Sequence, residues 1–165
     1  MNSPVSELEI VRVVEKAIDE HGASCEALVP ILSEVNRVFG YVPTEAIPEI
    51  RRRIHKPEEG MFLADSHLFS VASFYQMFSL KKLGTHVIRF CVSAPCHVMG
   101  RRPALNVIRD ELGIGFGETT ADKKWSLIET SCLGICGVGP VCIVDGDVYG
   151  NVTPERMHEI LMRYE

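Results

Sequence analysis

Four of the six cysteines in this 165-residue chain fall in two pairs, Cys91-Val-Ser-Ala-Pro-Cys96 and Cys132-Leu-Gly-Ile-Cys136. Each pair follows a run of strand character, His86 to Phe90 and then Trp125 to Ser131. Between the runs, Arg101 to Leu112 carries Leu105, Ile108 and Leu112 at helical spacing. Strand, helix and strand in that order make a crossover unit with parallel strands and right-handed connection. Parallel strands end on the same side of a sheet, so the four thiols are expected to converge there. Four convergent thiolates hold a metal, and any fold this chain adopts must bring those strand ends together.

Spacing and softness narrow the metal. Thiolate sets select zinc or iron-sulfur clusters. Structural zinc sites usually chelate through shorter Cys-x2-Cys turns suited to one tetrahedral ion. The loops here are wider, and a whole helix and strand separate them. A 2Fe-2S rhomb offers two terminal positions on each iron, which two chelating pairs match. The expected ligands are therefore Cys91, Cys96, Cys132 and Cys136, each pair serving one iron. A zinc-stabilised binding module using the same four thiols, and a free-standing ferredoxin that shuttles electrons, remain the alternatives. Disulfides are disfavoured because the chain opens Met-Asn-Ser-Pro with no apolar signal core. No two cysteines are spaced as a redox Cys-x-x-Cys. A Rieske centre needs two histidine ligands; His97 follows Cys96, but no histidine lies near Cys132 or Cys136.

Four thiolates leave an oxidised two-iron cluster with net charge −2, and reduction adds a further negative charge. Donors near the sulfurs therefore matter. Gly100, Gly134, Gly137 and Gly139 crowd the ligand loops, where glycine lets backbone amides approach sulfur and adopt positive φ; turn-making alone also explains them. Such hydrogen bonds set the potential within the span of about −700 to +450 mV that clusters cover. Pro95 and Pro140 are expected to stiffen the loops. Cys25 stands apart and reads as a small buried or half-buried residue.

The stretch before Lys81-Lys-Leu-Gly84 is helical in pattern. Ser6 and Glu9 form a capping box for a first helix that runs to Gly22. A second begins near Ser24, with Leu28, Ile31, Leu32, Val35, Val38 and Phe39 on one stripe and Gly40 as terminator; Pro30 is tolerable near its first turn. Thr44 caps a third through Ile47, Ile50 and Ile54, closed by Pro57. A fourth, near Ser66, carries Leu68, Phe69, Val71, Ala72, Phe74 and Tyr75 over much of its circumference, which suits burial in a bundle core or against another protein. After the second cysteine pair, Val141 to Val144 and Asp147 to Tyr149 flank Asp145-Gly146, a composition that favours a type I′ hairpin. Thr153-Pro154-Glu155 opens a last helix.

The expected fold class is thus α+β, an N-terminal helical bundle over 1–82 followed by a thioredoxin-like α/β domain over 83–165 that carries the cluster. A net charge of −5 excludes a phosphate-gripping surface, and Arg51-Arg-Arg53 with His55 and Lys56 reads as a solvated helix end. No apolar run approaches the roughly 20 residues that cross a bilayer. Gly113-Ile-Gly-Phe-Gly117 follows a helix and has Glu118 where a dinucleotide loop needs its third glycine, so no nucleotide site is expected on this chain. Asn151-Val-Thr153 reads as turn and cap rather than as a glycosylation site.

The two cysteine pairs, with Leu28-Val-Pro-Ile-Leu32, Phe39-Gly-Tyr-Val-Pro43, Val71-Ala-Ser-Phe-Tyr75, Met77-Phe78, His86-Val-Ile-Arg89 and Val148-Tyr-Gly-Asn-Val-Thr-Pro154, resemble the thioredoxin-like 2Fe-2S subunit of the NADH dehydrogenase module of complex I. The same family includes small diaphorase subunits of NAD-dependent hydrogenases and formate dehydrogenases. Ser70, where a glycine often stands, and Cys142, where another apolar residue is usual, depart from its pattern. The resemblance implies one 2Fe-2S cluster, and one-electron transfer within an oxidoreductase whose FMN and NAD(H) lie on a flavin-binding large subunit. It also implies further iron-sulfur subunits, N-terminal helices clasping the partner, and a cytoplasmic place in a bacterium or archaeon, peripheral to any membrane complex.

Overall fold

The computed structural model describes residues 6–54 and 63–164. The chain divides into two compact units, Met1–Lys82 and Leu83–Glu165.

The first unit is helical. α1 (Glu7–His21) begins in a complete capping box: the Ser6 hydroxyl accepts from the Glu9 amide and the Glu9 carboxylate accepts from the Ser6 amide. Gly22 ends it. A single 3-10 turn, Cys25–Ala27, precedes α2 (Leu28–Phe39), so the second helix starts later than Ser24, and Pro30 sits in its first turn, where no intrahelical amide is lost. Cys25 is exposed on that short turn, not buried or half-buried as expected. Val38 is also exposed. At 100° per residue it points about 80° away from Leu28, whereas Phe39 returns to within about 20° and packs on the core. α3 (Ala46–Ile54) buries Ile47, Ile50 and Ile54. The Thr44 hydroxyl bonds the Glu45 carboxylate instead of a helix amide. His55, Lys56 and Pro57 lie outside the described residues. Arg51, Arg52 and Arg53 are ion-paired, with Asp65, with Glu49, and with both Glu15 and Glu49.

α4 (Asp65–Phe74) buries Leu68 and Ala72, while Phe69, Phe74, Tyr75 and Met77 stay exposed, and Tyr75 lies past the helix end in extended backbone. α1 packs on α2 and α3, and α4 on α2 and α3. Their shared core is a branched-aliphatic cluster around Val14, Ile31, Leu32, Val35, Ile50, Ile54 and Leu68.

The second unit is built on a five-stranded mixed sheet. β1 (His86–Cys91) leads through a short α5 (Ala94–Val98) and then α6 (Arg101–Leu112) to the outer strand β2 (Glu118–Thr119). β3 (Trp125–Thr130) pairs in parallel with β1, as the crossover pattern predicts, and β2 adds antiparallel to its outer edge. β4 (Cys142–Val144) pairs antiparallel with β1 and with β5 (Asp147–Tyr149), giving the order β2-β3-β1-β4-β5. The hairpin between β4 and β5 has Asp145 at φ 50 and Gly146 at φ 106, both positive as a type I′ turn requires. Thr153 caps α7 (Pro154–Arg163) by accepting from the Arg156 amide. α6 and α7 pack together, and Ile88, Phe90, Leu127 and Val144 of the sheet bury against Ile108, Met157 and Ile160.

Candidate metal centre

Strand alternation sets the first thiol. Phe90 points into the core beneath α6 and α7, so Cys91 must point to the other face. There it forms a small separate cluster with Cys96, Val141 and the partly buried Leu133. Its amide donates to the Val141 carbonyl at 3.1 Å, and Val92 continues the ladder to Thr130 at 2.9 Å. Cys91 lies opposite Thr130 in the β1/β3 register, so the two cysteine-bearing segments leave the sheet level with one another.

The segment between Cys91 and Cys96 is not a loop. Ser93, in extended backbone, is the N-cap of α5, and Pro95 stands in the first turn. Cys96 comes next, buried on that helix. A Ser-x-Pro step is a helix-start signal, but five residues are too few for periodicity to reveal. Gly100, at φ 90, is the left-handed joint between α5 and α6.

The second pair is more open. Cys132 is exposed and Cys136 half-buried, with their Sγ atoms 3.3 Å apart. Gly134, at φ 80, turns the chain so that its amide lies 3.4 Å from the Cys132 sulfur. Cys136–Val138 is a 3-10 turn, bolted down by the Asn151 amide on the Val138 carbonyl at 2.6 Å. The Gly139–Pro140 peptide is cis. A Cβ on Gly139 would press on the Met99 sulfur at 3.0 Å and the Cys136 carbonyl at 3.3 Å, and would just touch the Cys96 sulfur at 3.5 Å. Gly100 and Gly137 have open space at the corresponding point. Of the four glycines, then, Gly134 and Gly139 approach sulfur; Gly100 serves the backbone, and nothing crowds Gly137.

The thiols sense one another. Burial pushes Cys91 up, but donors from the Ser93 and Leu133 amides, the Ser93 hydroxyl and the Cys96 thiol outweigh it, leaving Cys91 below an ordinary thiol. Cys96 is raised by burial, by its bond to Cys91 and by charge on Cys91 and Cys136. Cys136 is raised by its bond to Cys132, by burial and by charge on Cys132 and Cys91. Charge on Cys91 thus reaches across to the second pair. All six cysteines are free thiols. Among the described residues no three His, Cys, Asp or Glu side chains close on a single ion; the thiols stand as two pairs. An unbridged set of four thiols in two chelating pairs fits a two-iron cluster in its donor chemistry. His97 is exposed, and Cys142 is buried in the main core, its thiol pushed up to about 12 by burial. Ser93, Leu133 and Arg101, whose Nη1 donates to the Cys91 carbonyl at 3.5 Å, went unread in the sequence; only Ser93 carries a local signal.

The family model for thioredoxin-like 2Fe-2S ferredoxins matches residues 14–165. One component chain of the NADH-quinone oxidoreductase of Pseudomonas aeruginosa is 35% identical over 146 residues, covering 88% of this chain and 81% of that one. The component of the same name in Escherichia coli is 35% identical over 147 residues, covering 89% and 82%. A chain of an NAD+-reducing NiFe-hydrogenase in its H2-reduced state is similar with a TM-score of 0.63 at 19% identity, over 81% of this chain and 22% of that one. This last likeness shows shared fold.

Proposed function

The chain belongs to the thioredoxin-like 2Fe-2S ferredoxin family, and on that premise we propose that it is the one-electron transfer subunit of a multi-subunit NAD(H)-dependent oxidoreductase. The observation that carries this reading is two pairs of unbridged thiols placed beyond the level ends of two parallel strands, near enough that charge on Cys91 is felt at Cys136. Cys91, Cys96, Cys132 and Cys136 would hold the cluster, and when bound it supplies reversible one-electron transfer. Cys91 and Cys96 anchor it from a buried helix-strand corner. Cys132 and Cys136 hold it from the open side, where the Gly134 amide donates toward sulfur.

The host is read from relatives named as components of NADH-quinone oxidoreductases. Flavin and NAD(H) then belong to a partner subunit, and this chain needs no substrate site of its own. Val98, Met99, Ile135 and Val138, within three residues of a cysteine of either pair, are exposed apolar side chains, suited to cover by a protein that exchanges electrons there. The helical unit over 1–82 supplies the clasp, with Phe69, Phe74, Tyr75 and Met77 as contact residues. Among the described residues no helix is long and apolar enough to cross a membrane; a cytoplasmic place, peripheral to any membrane complex, is part of the proposal.

The test is anaerobic purification of the tagged chain from its native host, followed by NADH addition to the eluate. The expected result is a copurifying flavoprotein and an NADH-dependent reduced-cluster EPR signal. A chain that purifies alone, in every fraction, without flavin would contradict the assignment.

A further inference from the structure

Arg101 opens α6, five residues after Cys96. Its Nη1 reaches the Cys91 carbonyl at 3.5 Å, and its Nε is buried with no hydrogen-bond partner. The next residue, Arg102, is exposed. Arginine is seldom buried unless paired, because the guanidinium gives up water that something must replace. A buried donor without an acceptor calls for one. What the same guanidinium touches is the Cys91 carbonyl, and Cys91 clusters with Cys96. Loaded, that thiol set carries net negative charge that grows on reduction, so a fixed cation nearby favours the reduced state more than the oxidised one.

We propose that Arg101 is the positioning residue of the centre: it holds the Cys91 carbonyl and sets a permanent positive charge beside the thiolates, raising the potential at which the centre accepts its electron. This rests on the cluster reading of the preceding subsection. Lysine keeps the charge but lacks the rigid planar fork, and methionine keeps bulk and loses the charge.

The experiment is an EPR-monitored redox titration of the full chain, after anaerobic reconstitution and iron and sulfide analysis, for wild type, R101M, R101K and R102M. In R101M the reduced-to-oxidised ratio at a fixed potential is expected to fall about tenfold, a downward shift of about 59 mV for one electron. R101K and R102M are expected to stay near wild type. An R101M potential equal to wild type, or an equal shift in R102M, overturns the proposal. If R101M fails to hold a cluster, R101Q against R101K gives the same reading. Wild-type protein that takes up neither iron nor sulfide overturns the cluster reading itself; a loaded wild type with an unmoved R101M overturns only the role of Arg101.

Discussion

Phe90 and Phe74 are the same residue in opposite circumstances. Phe90 is fully buried on β1, one position before Cys91, whereas Phe74 is 78% exposed at the end of α4 and stacks edge-on against Tyr75. The contrast runs through both units. In the sheet unit, large side chains fill the space between sheet and helices, and the polar and sulfur chemistry gathers at one strand end. In the helical unit the core is mostly Ile, Leu, Val and Ala, with Phe78 buried among them and Phe39 packed against it, while Phe69, Phe74 and Tyr75 stay outside. The difference teaches that the sheet unit's buried apolar residues stand behind the cysteine segments, while the helical unit leaves aromatic groups exposed, which the proposed partner would cover.

The sharpest way to break that comparison is to truncate both phenylalanines. Phe90→Ala should cost about 3–5 kcal/mol by urea denaturation and lose cluster on desalting. Phe74→Ala should change the isolated chain by no more than about 0.5 kcal/mol yet weaken association with the flavoprotein by more than about 1 kcal/mol. Equal costs in the two would erase the distinction. Next comes Gly150→Ala. A Cβ there would sit 2.8 Å from the Val138 carbonyl, so the Cys136 turn must shift, at about 1–3 kcal/mol. Iron content should fall along with thermal stability; a fully loaded, fully stable variant would show that the turn is not fixed by Gly150.

Smaller effects are expected where the units are built alike. Ser6→Ala removes one half of the α1 capping box and Thr153→Ala the α7 cap, each worth about 1 kcal/mol in a denaturation midpoint. The smallest effect concerns two thiols outside the centre. Cys25 is exposed, while burial pushes Cys142 up to about 12. Iodoacetamide should label Cys25 quickly and Cys142 only after unfolding. Because the folded Cys142 value is raised, its contribution is fully present below the ordinary thiol range and is lost as pH climbs toward about 12. Cys142→Val should flatten the loss of stability over that alkaline window, measured by denaturation at a series of pH values.

Much of this was legible in the sequence for particular reasons. α1 runs from its capping box to its glycine as the pattern predicts, and α6 has the expected limits, because caps and a 3.6-residue stripe act within one segment. The parallel β1/β3 pair followed from the crossover rule. α5 and β2 did not show themselves: one is a single turn started by Ser93 and Pro95, the other a two-residue strand held by pairing with β3. The two cysteine pairs stand out by spacing, and the structure keeps them unbridged, while their role as ligands is the proposal. The Arg101 contact to Cys91 did not, because it depends on how α5 and Gly100 turn the chain back, and no local pattern encodes that.

The most direct measurement is iron, acid-labile sulfide and zinc content of the chain purified without oxygen, with EPR spectra before and after dithionite. The account predicts two irons and two sulfides per chain, negligible zinc, and an EPR signal only after reduction, with all of these lost in a Cys91→Ser, Cys132→Ser double variant. A colourless protein that carries one zinc per chain, and takes up no iron or sulfide on reconstitution, would contradict it.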